Sequence, residues 1–267
     1  MKRILILSSY VAQGTVGLQA TVPAFDSPAF EVIAVPTVVL SNHPGHRACA
    51  GTAVAPETLA AMLDALAANG WLRELDVLLL GYMPSPDHVR WAATLAQGLK
   101  LQGPELTVVV DPVLGDDPQG LYVRPETAAA IRDNLLPLAD LITPNRFELA
   151  WLSACTVDGP ETATNAARTL HRPTCAATSI PADGGRIANL LISDSLVAHE
   201  NADLVPQAPH GTGDYFAGAL VAARLLGHGD REALRIATLE VARALHVSSG
   251  LDYLRFAAVT TGHPGRG

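Results

Sequence analysis

A glycine-containing loop that runs directly into an apolar stretch is the first feature of this sequence able to do chemistry. The loop reads "HGTGD" over residues 210–214, and the helix-like run "YFAGALVAARLLG" follows it. Backbone N–H groups from Gly211 to Asp214 can converge on one point with a helix dipole behind them, which makes an anion hole. A carboxylate there can accept a proton from a hydroxyl that attacks a phosphate. On this motif alone a helix-capping aspartate is an equally good interpretation, and the loop is not of the Walker type.

Three acidic residues follow predicted strand ends and can supply oxygen ligands. Asp111 ends one strand, Asp116 closes the next turn and Glu148 opens a helix. Mg²⁺ is typically held by such carboxylates, often through waters, and Thr143 and Asn145 offer further oxygens. A single acid at such a place is more commonly a turn or helix cap. Three of them beside a predicted anion hole favour a metal site.

Two histidines, His43 and His46, flank a Pro-Gly pair in "SNHPGH". Their spacing is a weak signal for a metal site when it stands alone. Pro-Gly pairs are typical of turns, so turn histidines are the favoured interpretation.

Short apolar runs of strand length recur along the chain, and helical stretches separate most of them. The runs are continuous rather than alternating, which is typical of parallel strands covered on both faces. They are "RILILSS", "EVIAVP", "DVLLLG", "LTVVVD", "DLIT", "CAATSI" and "ANLLIS". Alternating strands and helices predict an α/β fold with a mostly parallel, doubly wound sheet, and the closely spaced strands after residue 175 predict an antiparallel edge. No linker divides the chain, so residues 1–267 are expected to form one domain, with a frayed tail at 258–267.

Polar clusters follow the predicted strands and precede the long helix. They are "SSYVAQG", "GYMPSP", "DPVLGD", "TPNRFE", "TS" and "HGTGD". In doubly wound sheets the ligand site lies at the carboxyl ends of the strands. The convergence of six clusters on one rim is stronger evidence for an active site than any single motif.

The composition restricts the partners of this chain. With 18 basic and 26 acidic residues, the formal net charge is −8, which argues against nucleic acid or an anionic membrane as the main partner. Only two lysines are present, Lys2 and Lys100, and neither adjoins the glycine loop. Any phosphate must therefore be bound by backbone amides, arginine or a metal. The odd number of cysteines, at 49, 155 and 175, predicts no disulfide framework and favours a reducing cytoplasm.

The motifs taken together resemble those of a known family. "HGTGDYFAGAL" resembles the signature of ribokinase-like small-molecule kinases, and "VVVDPVLGD" with "LITPNRFELAWL" resembles their vitamin-kinase branch. "SSYVAQGTVGLQATVPAF", "PTVVLSNHPGH" and "LLLGYMPSP" are similar to the pyridoxal kinases. The resemblance extends from about Ile4 to Leu245. It implies a ribokinase-like three-layer α/β/α sandwich, ATP as phosphate donor and a homodimer.

The resemblance also implies a role for each matching residue. Asp214 would be the general base for the 5′-hydroxymethyl group of a B6 vitamer, beside an anion hole of Gly211, Thr212 and Gly213. Mg²⁺ would be organised by Asp111, Asp116, Glu148 and Asn145, and Thr143 with Asp111 would bind a monovalent cation such as K⁺. The nucleotide would be contacted by Asn145, Thr178, Ser179 and Val241. The acceptor would be contacted by Ser9, Val38, Leu40, His46 and Tyr82.

The departures from the family pattern lie on the acceptor side. Family members usually have threonine and tyrosine where this chain has Pro44 and His46, and glycine where it has Pro84. Two alternatives to a pyridoxal kinase therefore remain open. One is a kinase for hydroxymethylpyrimidine or another hydroxymethyl heterocycle. The other is a non-catalytic protein that binds a vitamer or nucleotide, against which the intact acidic residues argue.

Overall fold

Eleven strands run through the part of the chain that the computed structural model describes, residues 1–170 and 174–256. In chain order they are β1 (Lys2–Gln13), β2 (Phe30–Asn42), β3 (Gly51–Ala53), β4 (Val77–Leu80), β5 (Thr107–Val110), β6 (Gly115–Asp116), β7 (Gly120–Leu121), β8 (Leu141–Ile142), β9 (Thr174–Ala182), β10 (Arg186–Ser193) and β11 (Val197–Asp203). Nine of them form one sheet in the order β11-β10-β9-β8-β5-β4-β1-β2-β3, and β6 and β7 form a separate ribbon. The expected tail, residues 258–267, lies outside the described residues.

The middle of the sheet is parallel and both of its edges are antiparallel. The strands from β9 through β8, β5, β4 and β1 to β2 pair in parallel. β10 and β11 add an antiparallel edge beside β9, which confirms the predicted mostly parallel sheet with an antiparallel edge. The opposite edge, β3, is also antiparallel and was not predicted. Its three residues are all exposed, so the strand carries no apolar pattern.

Helices cover both faces of the sheet and complete the three-layer α/β/α sandwich. In chain order they are α1 (Leu18–Thr21), α2 (Pro56–Ala68), α3 (Pro86–Gln102), α4 (Pro125–Ala130), α5 (Arg146–Ser153), α6 (Pro160–Thr169), α7 (Thr212–Leu225) and α8 (Asp230–Val247). In β1, Leu5 and Leu7 pack in the core under α2 to α6, while Ile4 and Ile6 pack in the core under α7 and α8. This burial on both faces explains why the strand reads as a continuous apolar run.

Four helices, α2, α3, α4 and α6, begin with a proline followed by an acidic residue. Proline suits the first helical position, and a carboxylate in the first turn is stabilised by the helix dipole. The helix-like run after Asp214 forms α7 and ends before Gly227, which takes a left-handed φ of 89° between α7 and α8. Among the helices in the described ranges, none combines the length and hydropathy needed to cross a bilayer.

Candidate active site

Asp214 lies in the first turn of α7, and its carboxylate contacts a neighbouring loop. The Oδ2 atom accepts a hydrogen bond of 2.9 Å from the backbone N–H of Gly17, between β1 and α1. The cap position of α7 is Gly211, and no side-chain hydrogen bond caps this helix. Asp214 therefore does not cap its own helix, which removes the alternative interpretation of the glycine loop.

Two glycines allow the loop before α1 and the loop before α7 to approach each other closely. Gly211 has a φ of 97°, and a Cβ there would lie 1.9 Å from the carbonyl oxygen of Thr15. Gly17 has a φ of 56°, and a Cβ there would lie 2.2 Å from both the carbonyl oxygen and Oγ of Ser9. Residues with a side chain rarely adopt this left-handed backbone. Ser9, one of the residues predicted to contact the phosphate acceptor, therefore packs against the loop whose Gly17 N–H binds Asp214.

The start of α7 has the geometry of an anion site. Gly211, Thr212 and Gly213 occupy the cap and the first two helical positions. Backbone N–H groups at these positions have no acceptor within the helix, and the positive end of the helix dipole adds to their field. An anion bound here would adjoin the Asp214 carboxylate.

Asp111, at the carboxyl end of β5, is a buried carboxylate of this rim. Thr143 Oγ1 donates a hydrogen bond of 2.9 Å to Asp111 Oδ1, so two of the predicted oxygen ligands are in contact. Burial raises the pKa of Asp111, and the charge of Asp214 raises it further. Burial also raises the pKa of Asp214. The two carboxylates therefore lie close enough to repel each other, and a nearby cation would relieve that repulsion.

Glu148 and Asn145 form a reciprocal cap at the start of α5. Asn145 Oδ1 accepts the Glu148 N–H at 2.9 Å, and Glu148 Oε2 accepts the Asn145 N–H at 2.8 Å. Glu148 Oε1 accepts the N–H of Leu114 at 2.9 Å, and Asn145 Nδ2 donates to the Gly115 carbonyl at 2.8 Å. Burial raises the pKa of Glu148, and the charge of Asp111 adds to the increase. Glu148 is thus a cap, as one interpretation of the sequence held, and it also adjoins Asp111.

Asp116 lies on the β6–β7 ribbon, and its Oδ1 accepts a hydrogen bond of 2.8 Å from the N–H of Asp117. The charged groups around it include Asp117, His210 and Arg146. Within the described residues, no three His, Cys, Asp or Glu side chains are grouped closely enough to hold a metal ion. A Mg²⁺ ion at this rim would therefore need oxygens from substrate or water as well.

Thr178 and Ser179 form a bulge in β9 beside the cap of α5. The Thr178 N–H donates a hydrogen bond of 2.9 Å to the Pro144 carbonyl, and Thr178 also forms an isolated bridge with Asn145. Ser179 is exposed and has a left-handed φ of 58°. The structure thus brings together three predicted nucleotide contacts, Asn145, Thr178 and Ser179. The fourth, Val241, is partly buried on α8.

Two polar side chains hold the backbone of Tyr82, a predicted acceptor contact in the loop after β4. Ser8 Oγ accepts the Tyr82 N–H at 3.2 Å, and Thr37 Oγ1 donates to the Tyr82 carbonyl at 2.7 Å. Ser8 and Thr37 are buried and lie where the pairing of β1 with β2 shifts by one residue. Val38 follows Thr37 and is buried, whereas Leu40 is partly buried. Neither Ser8 nor Thr37 was predicted to belong to the site, although a hydroxyl inside a buried strand is a usable signal.

This chain is similar to known kinases in both sequence and structure. The family model described as phosphomethylpyrimidine kinase matches residues 12–256. A pyridoxine/pyridoxal/pyridoxamine kinase of Bordetella pertussis is 38% identical over 260 residues, covering 91% of this chain and 88% of the relative. The crystal structure of a pyridoxal kinase from Entamoeba histolytica superposes with a TM-score of 0.89 at 27% identity, covering 95% of this chain and 92% of that chain. A pyridoxal kinase from Leishmania donovani, solved with ADP and pyridoxine, gives a TM-score of 0.86 at 29% identity, covering 92% and 86%.

The chain belongs to the pyridoxal kinase family. Its relatives are kinases whose phosphate acceptor is an alcohol group, and this chain is a kinase of that class. The expected ribokinase-like fold is confirmed by the same structural neighbours.

In this pyridoxal kinase family member, a cavity of about 410 Å³ opens beside the start of α7, and His43, His46, Arg47 and His210 are among the residues that line it. The rings of His43 and His210 are stacked, with centroids 4.0 Å apart and planes 24° apart. Burial, together with the nearby His210 and His46, lowers the pKa of His43 to about 4. The His46 N–H donates to the His43 carbonyl at 3.2 Å, as expected for turn histidines. The stack joins the β2–β3 loop to the residue that precedes Gly211, the cap of α7.

Proposed function

We propose that this chain transfers the γ-phosphate of ATP to the 5′-hydroxymethyl group of pyridoxal, giving pyridoxal 5′-phosphate. Pyridoxine and pyridoxamine carry the same group and are further acceptors. The observation that carries the proposal is the Asp214 carboxylate, held at 2.9 Å by the Gly17 N–H beside the first amides of α7. A relative named for all three vitamers and neighbours solved with ADP and pyridoxine or pyridoxamine support both substrates.

Asp214 is the general base in this proposal. Its carboxylate accepts the proton of the 5′-hydroxyl, and the hydroxyl oxygen bonds to the γ-phosphorus as the bond from that phosphorus to the β–γ bridging oxygen breaks. ADP leaves with the electron pair of the broken bond, and Asp214 then releases its proton to solvent. The amides of Gly211, Thr212 and Gly213 stabilise the charge on the γ-phosphoryl oxygens.

The residues of this rim fit a Mg²⁺ ion. Asp111 and Asp214 repel each other, and the two lysines pair elsewhere, Lys2 with Asp76 and Lys100 with Asp140. The groups that would hold the ion, partly through waters, are Asp111, Asp116, Glu148 and Asn145. Mg²⁺ supplies the positive charge that neutralises the phosphate oxygens. Thr143 and Asp111 would bind a monovalent cation such as K⁺.

The nucleotide and the acceptor lie on different parts of the rim in this proposal. Thr178 and Ser179 contact the phosphates next to Asn145, and Val241 packs beside the adenine. Support comes from the bridge between Thr178 and Asn145 and from the ADP bound to the Leishmania donovani neighbour. On the acceptor side, the pyridine ring is contacted by Ser9, Val38, Leu40, His46 and Tyr82. Support comes from the two buried hydroxyls that hold Tyr82 and from the packing of Ser9 on Gly17.

Replacing Asp214 with asparagine tests the proposed base. We expect Asp214→Asn to lower kcat by about 10²–10⁴-fold, because the amide cannot accept the hydroxyl proton. ADP affinity, measured by calorimetry, stays near that of the parent protein because the amides of α7 remain. Asp194→Asn, which changes an exposed acid outside the rim, is the matched control and keeps full turnover. An Asp214→Asn protein with parental kcat would exclude Asp214 as the base.

A second candidate acceptor is hydroxymethylpyrimidine. Two observations favour it: the matching family model is described as phosphomethylpyrimidine kinase, and Pro44 and His46 replace the usual threonine and tyrosine in the acceptor loop. The discriminating measurement is kcat/KM with ATP and Mg²⁺ for pyridoxal, pyridoxine, pyridoxamine and hydroxymethylpyrimidine. We expect a B6 vitamer to exceed the pyrimidine by about 10-fold or more, the size of a modest loss of pocket contacts. The reverse order would establish the second candidate, and no ATP consumption with any acceptor would indicate a binding protein.

A further inference from the structure

A polar pair is buried beside the bulge of β9. Asn189 and Thr238 are each 6% exposed, and Asn189 Nδ2 donates a hydrogen bond of 3.2 Å to Thr238 Oγ1. Asn189 lies in β10 between two buried apolar residues, Ala188 and Leu190. An amide is costly to bury and packs no better than an apolar side chain of similar size, so its place in this core requires another reason.

The reason lies in the bulge of β9. The pairing of β9 with β10 shifts by one residue at this point, so that Thr178 and Ser179 both oppose Asn189. The Oδ1 atom of Asn189 accepts a hydrogen bond of 3.3 Å from the Ser179 N–H. A bulge re-aims the residues that form it, and here those residues are the two proposed phosphate contacts.

The backbone of Ser179 requires support from outside the bulge. Its φ of 58° is in the left-handed region, which a serine adopts only at a cost in free energy. The Asn189 side chain holds this conformation from the β10 side, and the Pro144 carbonyl holds the adjoining Thr178 N–H at 2.9 Å from the β8 side. The strand β10 and the loop after β8 therefore fix the orientation of the bulge from both sides.

The same amide also binds α8, the helix that carries the proposed adenine contact. Thr238 lies on α8, one turn before Val241, the residue proposed to pack beside the adenine. Asn189 Oδ1 thus binds the backbone of Ser179, a proposed phosphate contact. Asn189 Nδ2 binds Thr238 on α8, the helix of the proposed adenine contact. This orientation of the amide follows from the chemistry, because the Ser179 N–H can only donate.

We propose that Asn189 is a positioning residue for the nucleotide, which sets the conformation of Ser179 and its separation from α8. The proposal rests on the nucleotide site of the proposed function. Asn189 touches neither substrate, so its loss should affect ATP more than the acceptor.

The experiment compares Asn189→Leu and Thr238→Val, which remove the hydrogen bonds with little change in volume, with the parent protein. We expect each to raise the KM for ATP and the Kd for ADP, by about 10-fold for Asn189→Leu, with the KM for pyridoxal changed less than about 2-fold. Thr238→Ser keeps the hydroxyl and should restore parental values. Leu191→Val, a truncation of a buried residue in the same strand, controls for lost stability and should leave both KM values unchanged.

The outcomes separate this inference from the proposed function. Parental ADP affinity and KM for ATP in Asn189→Leu would overturn the positioning role while leaving the kinase assignment intact. An equal rise in the KM of ATP in Leu191→Val would also overturn it, since stability alone would then explain the effect. A parent protein that binds no ADP would instead refute the proposed function itself.

Discussion

At the residue scale, the stacked histidines show how burial sets the charge of a side chain at this site. His43 is partly buried against His210, and its pKa is lowered to about 4, first by burial and then by the two neighbouring histidines. In the unfolded chain the same ring has its ordinary pKa of about 6.5. Between these two values the unfolded chain binds a proton that the folded protein does not bind.

This difference predicts how stability depends on pH. The free energy of unfolding contributed by His43 is fully present above pH 6.5 and is lost as the pH falls toward 4. We expect the urea midpoint of the parent protein to exceed that of His43→Gln at about pH 7.5, and this gap to shrink by about pH 5. His228→Gln, an exposed histidine outside the cavity, is the control. A gap that is constant or grows as the pH falls would contradict the depressed pKa.

The residues of the site differed in how far the sequence predicted them. Asp214, Asp111 and Glu148 could be predicted as site residues because carboxylates at strand and helix ends carry a local signal. Gly17 was missed as a partner of Asp214, because the hydrogen bond joins residues 197 positions apart. Glu148 carried two local interpretations, and only the contact with the Leu114 N–H shows that the cap also reaches the turn after β5.

At the element scale, the approach of the loop before α1 to α7 depends on Gly17. A methyl group there would lie 2.2 Å from the Ser9 carbonyl on a backbone with a φ of 56°. We expect Gly17→Ala to shift this loop, move the N–H away from Asp214 and lower kcat/KM by about 100-fold, the cost of a displacement of roughly 1 Å. Steady-state kinetics, with circular dichroism to confirm folding, measures the effect.

Gly98→Ala is the matched control for this substitution. Gly98 lies within α3, and a Cβ there would meet nothing within 4 Å. Alanine in a helix interior is favoured by about 0.5–1 kcal/mol, so this variant should be slightly more stable and fully active. A folded Gly17→Ala protein with the parental kcat/KM would show that the contact with Asp214 is dispensable.

The elements themselves were predictable where local chemistry marks their ends. The continuous apolar runs predicted the buried strands, and proline-acid pairs mark the starts of four helices. β3 and the β6–β7 ribbon were not predicted, because short exposed strands depend on a partner strand rather than on a pattern of their own. The bulge at Thr178 and Ser179 was also invisible, since it exists only in the register between β9 and β10.

At the scale of the whole molecule, the sheet topology places the candidate site. The parallel strands direct their carboxyl ends to one rim, and the antiparallel edge brings Asn189 beside the bulge. The order of strands and helices was enough to predict this rim, whereas the pairing of distant loops was not. The single domain over residues 1–267 and the homodimer implied by the family resemblance stay predictions.

The stack of His43 on His210 has a consequence for the order of events in a catalytic cycle. His43 belongs to the β2–β3 loop, which also carries Pro44 and His46, and His210 immediately precedes the amides proposed to face the γ-phosphate. If phosphate binding at the proposed anion site shifts His210, the stacked ring of His43 would shift with it. Under the proposed function, thermodynamic reciprocity would then require ATP to change the affinity for the vitamer by the same factor as the vitamer changes the affinity for ATP. The stack of two aromatic rings would in this way couple the binding of the two substrates before the reaction takes place.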